Sequence, residues 1–398
     1  MFSNKKKSVL FIDGPGNLIN SFQSWRAGEK FSGETAKTYS SQFFDVACRL
    51  DLQVYAVAWP GDRDRLEEEN FVIEHRTLPF PRAKGVLFHL AQAIWSLELM
   101  YIAFKSHAGV ALLVDTPHPF FFTPLRFMNI KTVVVLHHSL WPACYPPTKT
   151  EDHLILSMNG WFFRRIADNI LVLSPECERQ VKAVAHFSRR PIAQYRPTFF
   201  GKIAEQNKIS PGHPFRVLYA SRLERRKGAL DVLEMATYLN EKRPGDFIWI
   251  ICGAGSAEEE TKRIIENRGL SKVVHLRGQL ERDQLINEYR SCDAVIVPTK
   301  STFAEGLAKT AIEGALAGRP VILSETVPAR DILNEACLTV TASDIESYIR
   351  LIERLADAPA FYRSLCEAAV RVSDTFLETE NSFEEVIERT LGNLLHHG

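Results

Sequence analysis

Short apolar runs alternate with segments of helical period from residue 8 to beyond residue 340, and this alternation most narrowly limits what the chain can fold into. An unbroken run of five or six aliphatic residues reads as a strand buried on both faces. Such a strand needs helices above and below it, which is the condition of a parallel sheet. In the first half the runs are SVLFID, LQVYAVAW, GVALLVD, KTVVVLHH and NILVLS; in the second they are FRVLYA, FIWIIC, VVHLRG, AVIVPT, PVILSE and CLTVT. Helix-compatible stretches at 229–242, 257–268, 282–292 and 310–317 separate the later runs, so six strands with short connections predict one doubly wound unit there.

Single cores stop growing at about 250–300 residues, and this chain has 398. Two domains are therefore expected. Pro197, Gly201, Pro211, Gly212 and Pro214 interrupt any periodic pattern, which places the linker at 197–214 and the domains at 1–200 and 201–398. The tail beyond Thr341 reads as helices, including 345–355 and 383–395, with a return of the last one onto the first domain as an expectation.

The halves differ in charge. Residues 1–200 carry 23 basic and 18 acidic side chains, and the remainder carries 25 and 30, so a net charge of zero divides into +5 and −5. A basic excess this small suits an anionic acceptor or a membrane surface and is too weak for a nucleic-acid footprint. Seven scattered cysteines without a CxxC pair suggest neither a disulfide framework nor a zinc site, so a reducing cytoplasm is expected. Lys5, Lys6 and Lys7 precede too few apolar residues for a signal segment, and Asp13 ends the run. The stretch 86–104 is membrane-like in hydropathy. It contains His89, Gln92, Ser96 and Glu98, however, which are costly in hydrocarbon, and so reads as a buried or interfacial helix.

The most informative segment is STFAEGLAKTAIEGALAGRPVIL, directly after the run AVIVPT. It places Glu305 at a strand-to-helix turn and Glu313 about two turns into the helix. The free N–H groups of Gly306, Leu307, Ala308 and Lys309 would form an anion site suited to a diphosphate, with the Lys309 charge beside it. Glu313 lies where a carboxylate can accept two hydrogen bonds from vicinal ribose hydroxyls. An isolated glutamate in such a place is ordinarily a helix-start or solvated residue, and it is the context that argues otherwise. A second segment, VLYASRLERRKGALDVL, ends a strand at Ala220 and then presents Arg222 and Lys227. Two cations at a strand's carboxyl end can hold a diphosphate and stabilise it as it departs with added negative charge. A solvated basic loop is the plain alternative.

From these residues, the stretch from about 215 to 330 resembles the donor-binding domain of the GT-B retaining glycosyltransferases, the large family that includes sucrose synthase and many bacterial glycan-assembly enzymes. The resemblance rests on Arg222 and Lys227 with Gly228, on Gly253 and Gly255 of ICGAGS, and on the segment from Gly278 to Leu280. It rests further on Glu305 and Glu313 separated by seven residues, followed by Ala317, Gly318, Arg319, Pro320 and Val321. It implies that Arg222 and Lys227 bind the donor diphosphate, that Glu305 contacts the transferred sugar, and that Glu313 grips the ribose. It also implies that Gly306, Leu307 and Ala308 give backbone bonds near sugar and phosphate, and that Gln279 and Leu280 line the nucleobase. The family commonly has a further glycine or proline where this chain reads Glu305-Gly306-Leu307-Ala308.

The first half contributes the glycine loop Asp13-Gly14-Pro15-Gly16 and the pair His137-His138 at the end of KTVVVLHH. Similar enzymes place a glycine loop near the donor phosphates and a histidine near the reacting face of the sugar. His137 is preferred, with His138 left open. A dinucleotide fingerprint is excluded because its third glycine would fall at Ile19. Asp62-Arg63-Asp64 resembles a metal-clamping D-x-D, but it sits among charges as a solvated loop would, and no metal or other cofactor is expected. The segment PHPFFFTPLRFMNI, with Phe120, Phe121, Phe122 and Phe127, reads as a core-packing helix or an acceptor or membrane surface.

The fold expected is thus α/β of the GT-B type, two Rossmann-like doubly wound domains facing across a cleft. The function expected is retaining, metal-free transfer of a sugar from a nucleotide-diphosphate sugar to a glycan, lipid-linked or protein acceptor. Cytoplasmic residence, with peripheral contact at the inner membrane face, goes with it. A sugar-nucleotide epimerase of the same fold and a catalytically silent sugar-nucleotide-binding subunit are the alternatives.

Overall fold

The computed structural model describes residues 7–14, 16–28, 34–59, 63–80, 83–186, 191–203, 209–378 and 380–396. Pro15 of the glycine loop and Asp62 of the D-x-D triplet lie outside these residues.

The strands form two sheets. The first contains β1 (Ser8–Ile12), β2 (Gln53–Ala58), β3 (Asp64–Glu68), β4 (Phe71–His75), β5 (Ala108–Val114), β6 (Lys131–Leu136), β7 (Asn169–Val172) and β8 (Ile192–Gln194). Their order is β3-β4-β2-β1-β5-β6-β7-β8, parallel throughout except for β3 against β4. The second contains β9 (Phe215–Ala220), β10 (Phe247–Cys252), β11 (Val274–Gly278), β12 (Ala294–Val297), β13 (Val321–Ser324) and β14 (Cys337–Val340). It is wholly parallel in the order β11-β10-β9-β12-β13-β14, the doubly wound order of a dinucleotide-type fold.

All six second-half runs are strands where the sequence predicts them. Central strands β12 and β13 are buried at every residue, because helices cover both faces of the sheet. The first sheet departs from expectation at its edge. The charged stretch taken as a solvated loop forms the β3–β4 hairpin, and its acidic side chains are what an edge strand facing water tolerates.

In each sheet the strand order reverses at one point, beside β1 in the first and beside β9 in the second, and loops at the carboxyl ends there border a crevice. The last helix, Phe383–His396, lies on the first half, where Arg49 of the helix Tyr39–Arg49 pairs with Glu384 at 2.8 Å and Glu388 at 2.6 Å. Within PHPFFFTPLRFMNI only Phe122 is fully buried among the four phenylalanines, in the short helix Pro119–Arg126, and Phe127 is exposed.

Candidate active site

At the reversal point of the second sheet the loops after β9 and β12 meet. Lys227, ending the turn that follows β9, forms an ion pair with Glu305 of the loop after β12. The Lys227 side chain is 11% exposed, so little water screens the pair. Glu305 also accepts from Thr299 Oγ1 at 3.0 Å. Lys227 Nζ stands 4.1 Å from the centre of the Phe303 ring, and the Arg222 guanidinium lies 5.8 Å from the same ring. Arg222 is more open: its side chain is 57% exposed and pairs with Glu224 at 2.8 Å. Tyr219 Oη holds this loop by donating to the Arg222 carbonyl at 2.9 Å.

The glycines of these turns have steric reasons to be glycine. Gly228 at φ +77° would carry a Cβ 2.1 Å from the Pro298 carbonyl oxygen, and Gly253 at φ +127° one 2.1 Å from that of Ser221. Gly255 lies equally tight against Leu223, and Leu223 N–H donates to the Ala254 carbonyl at 3.0 Å, binding the two loops together. Gln279 is exposed beyond the end of β11, and Leu280 packs partly against the core.

The helix Lys309–Leu316 begins where the helix-compatible stretch places it, after Gly306, Leu307 and Ala308. Ala308 at φ +66° ends the loop, so Glu313 stands only just beyond the first helical turn rather than two turns in. Among the described residues no side chain caps the N-terminus of this helix, and the Ala311 N–H already donates to the Ala308 carbonyl at 3.0 Å. Lys309 reaches Glu34 of the first half at 3.0 Å. Glu313 is buried between Thr35 Oγ1 and Tyr289 Oη, both donating to its carboxylate. Burial pushes its carboxyl above the usual range against the pull of those two bonds. Each Glu313 oxygen thus already accepts one hydrogen bond from the protein, and a ribose hydroxyl aimed at Oε1 would compete with Thr35.

The first half closes against this loop. Ser139 donates from its N–H and its Oγ to the Glu305 carbonyl, and a Cβ on Gly306 would meet the His137 carbonyl oxygen at 1.7 Å. The two histidines separate cleanly. The His137 ring stacks on Tyr39 at 4.1 Å, packs edge-on to Tyr195 and Phe383, and bonds to the Tyr195 hydroxyl. Burial drives it down to about 4, so it is neutral at pH 7. His138 is 56% exposed at its side chain, lines a cavity with Thr302 and Ala304, and bonds through Nδ1 to Asp115 Oδ2 at 2.8 Å. That bond raises its pKa. The structure thus encloses the His137 ring among aromatic side chains and sets His138 in the cavity wall.

Asp115, at the end of β5, is missing from the sequence reading. Its Oδ1 accepts from the N–H of His137 at 2.8 Å and of His138 at 3.3 Å. Burial works against its charge, yet the His138 bond and the nearby imidazoles hold its carboxyl below the usual range. Asp13, at the reversal point of the first sheet, is pushed up to about 6 by burial, and Asp115 adds to the rise. A Cβ on Gly14 or Gly16 would meet no described residue within 4 Å. Tyr289, Thr35 and Asp115 left no local signal, because each is placed by contacts distant in sequence.

Comparison with known proteins bears on the fold that carries these residues. Residues 202–372 match the family model described as Glycosyl transferases group 1. A D-inositol 3-phosphate glycosyltransferase of Pseudarthrobacter chlorophenolicus is 26% identical over 215 residues, 51% of this chain and 50% of that protein. The chain thus spans about half the length of that relative. Sucrose-phosphate synthase from Thermosynechococcus elongatus superimposes over 99% of this chain and 100% of its own, with TM-score 0.69 and 16% identity. Anabaena HepE, solved with UDP and glucose, superimposes over 97% of this chain and 100% of its own, with TM-score 0.63 and 16% identity. These likenesses show the fold, which is GT-B.

Proposed function

We propose that this chain is a nucleotide-sugar-dependent glycosyltransferase that moves a hexose to a hydroxyl acceptor, with retention of anomeric configuration, in glycan or polysaccharide assembly. The observation that carries this reading is the meeting of Lys227 and Glu305 at the reversal point of the second sheet, opposite His138 at the end of β6. The group 1 match and the UDP held by a protein of the same fold support it.

In this mechanism Lys227 turns from Glu305 toward the donor diphosphate, and Arg222 and the uncapped helix end share the remaining charge. They stabilise the departing nucleoside diphosphate more than the bound donor, which is where a cation lowers a barrier. Glu305, released from Lys227, accepts hydroxyl hydrogens of the sugar, and Glu313 accepts those of the ribose. No metal is needed, because these groups meet the diphosphate charge. Attack comes from the face the leaving group vacates, and a donor phosphate oxygen takes the acceptor proton. The Ser139–Glu305 contact joins the halves over the cleft and keeps out water, itself a competent acceptor.

A cytoplasmic location at a membrane face belongs to the same proposal. All seven cysteines are free thiols. The helix Val86–Lys105 is long and apolar enough to span a membrane, yet it buries Trp95, Leu99 and Ala103 against the protein. Its opposite side exposes Leu87, Leu90, Leu97, Tyr101 and Phe104 in one stripe between exposed Lys84 and Lys105. Such a helix suits lying in an anionic interface.

A thermal-shift panel of nucleotide sugars tests the central reading. A donor at a hundred times its Kd stabilises the native state by about 2.7 kcal/mol, a rise of several degrees. A flat response to every nucleotide sugar would sink it. Once a donor is found, NMR of the product reads the anomeric configuration.

A further inference from the structure

The cavity that His138 lines has a volume of about 670 Å³. It lies between the ends of β5 and β6, the helix Thr150–Arg165, and Thr302 and Ala304 just before Glu305. Phe88, Trp141, Ile155 and Leu156 give it apolar walls, while Asp115, Asp152 and Asn159 supply oxygen atoms. Among the described residues that line it there is no lysine or arginine.

Among the described residues, two side chains of its wall carry a buried polar atom without a hydrogen-bond partner. Asn159, 4% exposed, donates from Nδ2 to the Pro117 carbonyl at 3.2 Å and leaves Oδ1 unpaired. His118, also 4% exposed, bonds through Nε2 to His89 Nδ1 at 2.8 Å and leaves Nδ1 unpaired. His89 in turn reaches Glu151 at 2.7 Å. Burial drives His118 down to about 4, so it carries no positive charge at pH 7. His138 and His89, the other histidines of the wall, are already paired with Asp115 and Glu151.

The carboxylates of Asp115 and Asp152, which line the cavity, accept hydrogen bonds, and Asn159 Oδ1 behind them is a further acceptor. A ligand that fits them must donate, as hydroxyl and ammonium groups do. A phosphate placed here would lose its water facing two carboxylates, with no free cation to replace it.

Resting on the reading above, we propose that this cavity binds the acceptor and selects a polyol that donates hydrogen bonds and carries no negative charge, favouring an ammonium group and rejecting a phosphate. The apolar walls take the body of that molecule, and its hydroxyl faces Glu305 and His138. The same head group could arrive as a free molecule or as the head of a neutral glycolipid.

Binding is compared for methyl glucosaminide, methyl glucoside and methyl glucoside 6-phosphate in the presence of the donor found by thermal shift. The expected order is glucosaminide tightest, with the phosphate at least about tenfold weaker than the uncharged glycoside. Replacing Asp152→Lys reverses the discrimination by a similar factor, and its donor-induced melting shift reports separately that the variant is folded. Phosphate binding as tight as the uncharged glycoside, or no glucosaminide binding up to about 10 mM, overturns the proposal. Loss of the donor shift in the unaltered protein would instead overturn the glycosyltransferase reading. Glucosaminyl diacylglycerol in phosphatidylcholine vesicles, compared with methyl glucosaminide, distinguishes the two sources.

Discussion

The strand-end turns of the two sheets are built on different terms. In the second, protein atoms account for Gly228, Gly253 and Gly255, and the cation that follows β9 already has its carboxylate. In the first, Gly14 and Gly16 meet no described residue, and the cavity beside His138 keeps unpaired polar atoms behind its wall among the described residues. Gly228, Gly253 and Gly255 each let one loop pack on the next, so those turns are shaped by protein contacts. The turns of the first half owe their form less to their own residues than to what packs on them, as the His137 cage and the Asp115 bonds illustrate.

The contrast can be broken most directly at the buried ion pair. Glu305→Ala leaves the Lys227 charge uncompensated and should cost about 3–5 kcal/mol, measured by denaturant unfolding. A loss below about 1 kcal/mol would mean the pair is as weak as a surface one. Next in size is Gly253→Ala, which should cost roughly 2–3 kcal/mol through its φ and the Ser221 clash, while Gly14→Ala should change stability by less than about 0.5 kcal/mol. Equal losses at the two glycines would end the comparison.

A smaller effect is expected where the halves meet. Thr35→Val frees one oxygen of Glu313, so calorimetry should show donor binding tightened by about threefold. Weakened binding would make Thr35 part of the donor site rather than a competitor for it.

The smallest effects lie in the pH dependence of stability. The pKa of His138 is raised by Asp115, so its contribution is complete below the free-histidine value of about 6.5 and is lost as pH rises through its folded value. His137 is depressed to about 4, and stability therefore falls as pH drops from about 6.5 toward 4. Melting temperatures of His138→Asn from pH 5 to 9 should lack only the alkaline slope. NMR titration should find the two imidazoles on opposite sides of the free value.

Much of this was legible before any coordinates. Runs such as AVIVPT and PVILSE are apolar at nearly every position because their strands are buried on both faces, and the turns that follow carry the charges. The hairpin of Asp64–Glu68 with Phe71–His75 was hidden because an edge strand tolerates charged side chains, which imitate a solvated loop. Glu313 was visible as a spaced carboxylate, but its partners were not, since Thr35 lies 278 residues away and Tyr289 lies 24 away.

By itself, then, the order of apolar runs and turn glycines determined two wound sheets and the strand ends at which the charged groups stand. Periodicity reports how each residue is covered, and that is a local property. Only the tertiary structure decided which histidine is enclosed and which lines the cavity, what occupies Glu313, and that the described residues lining that cavity include no lysine or arginine. Those outcomes depend on which side chains meet across the closed chain, and their desolvation and pairing energies have no expression in the spacing of neighbours.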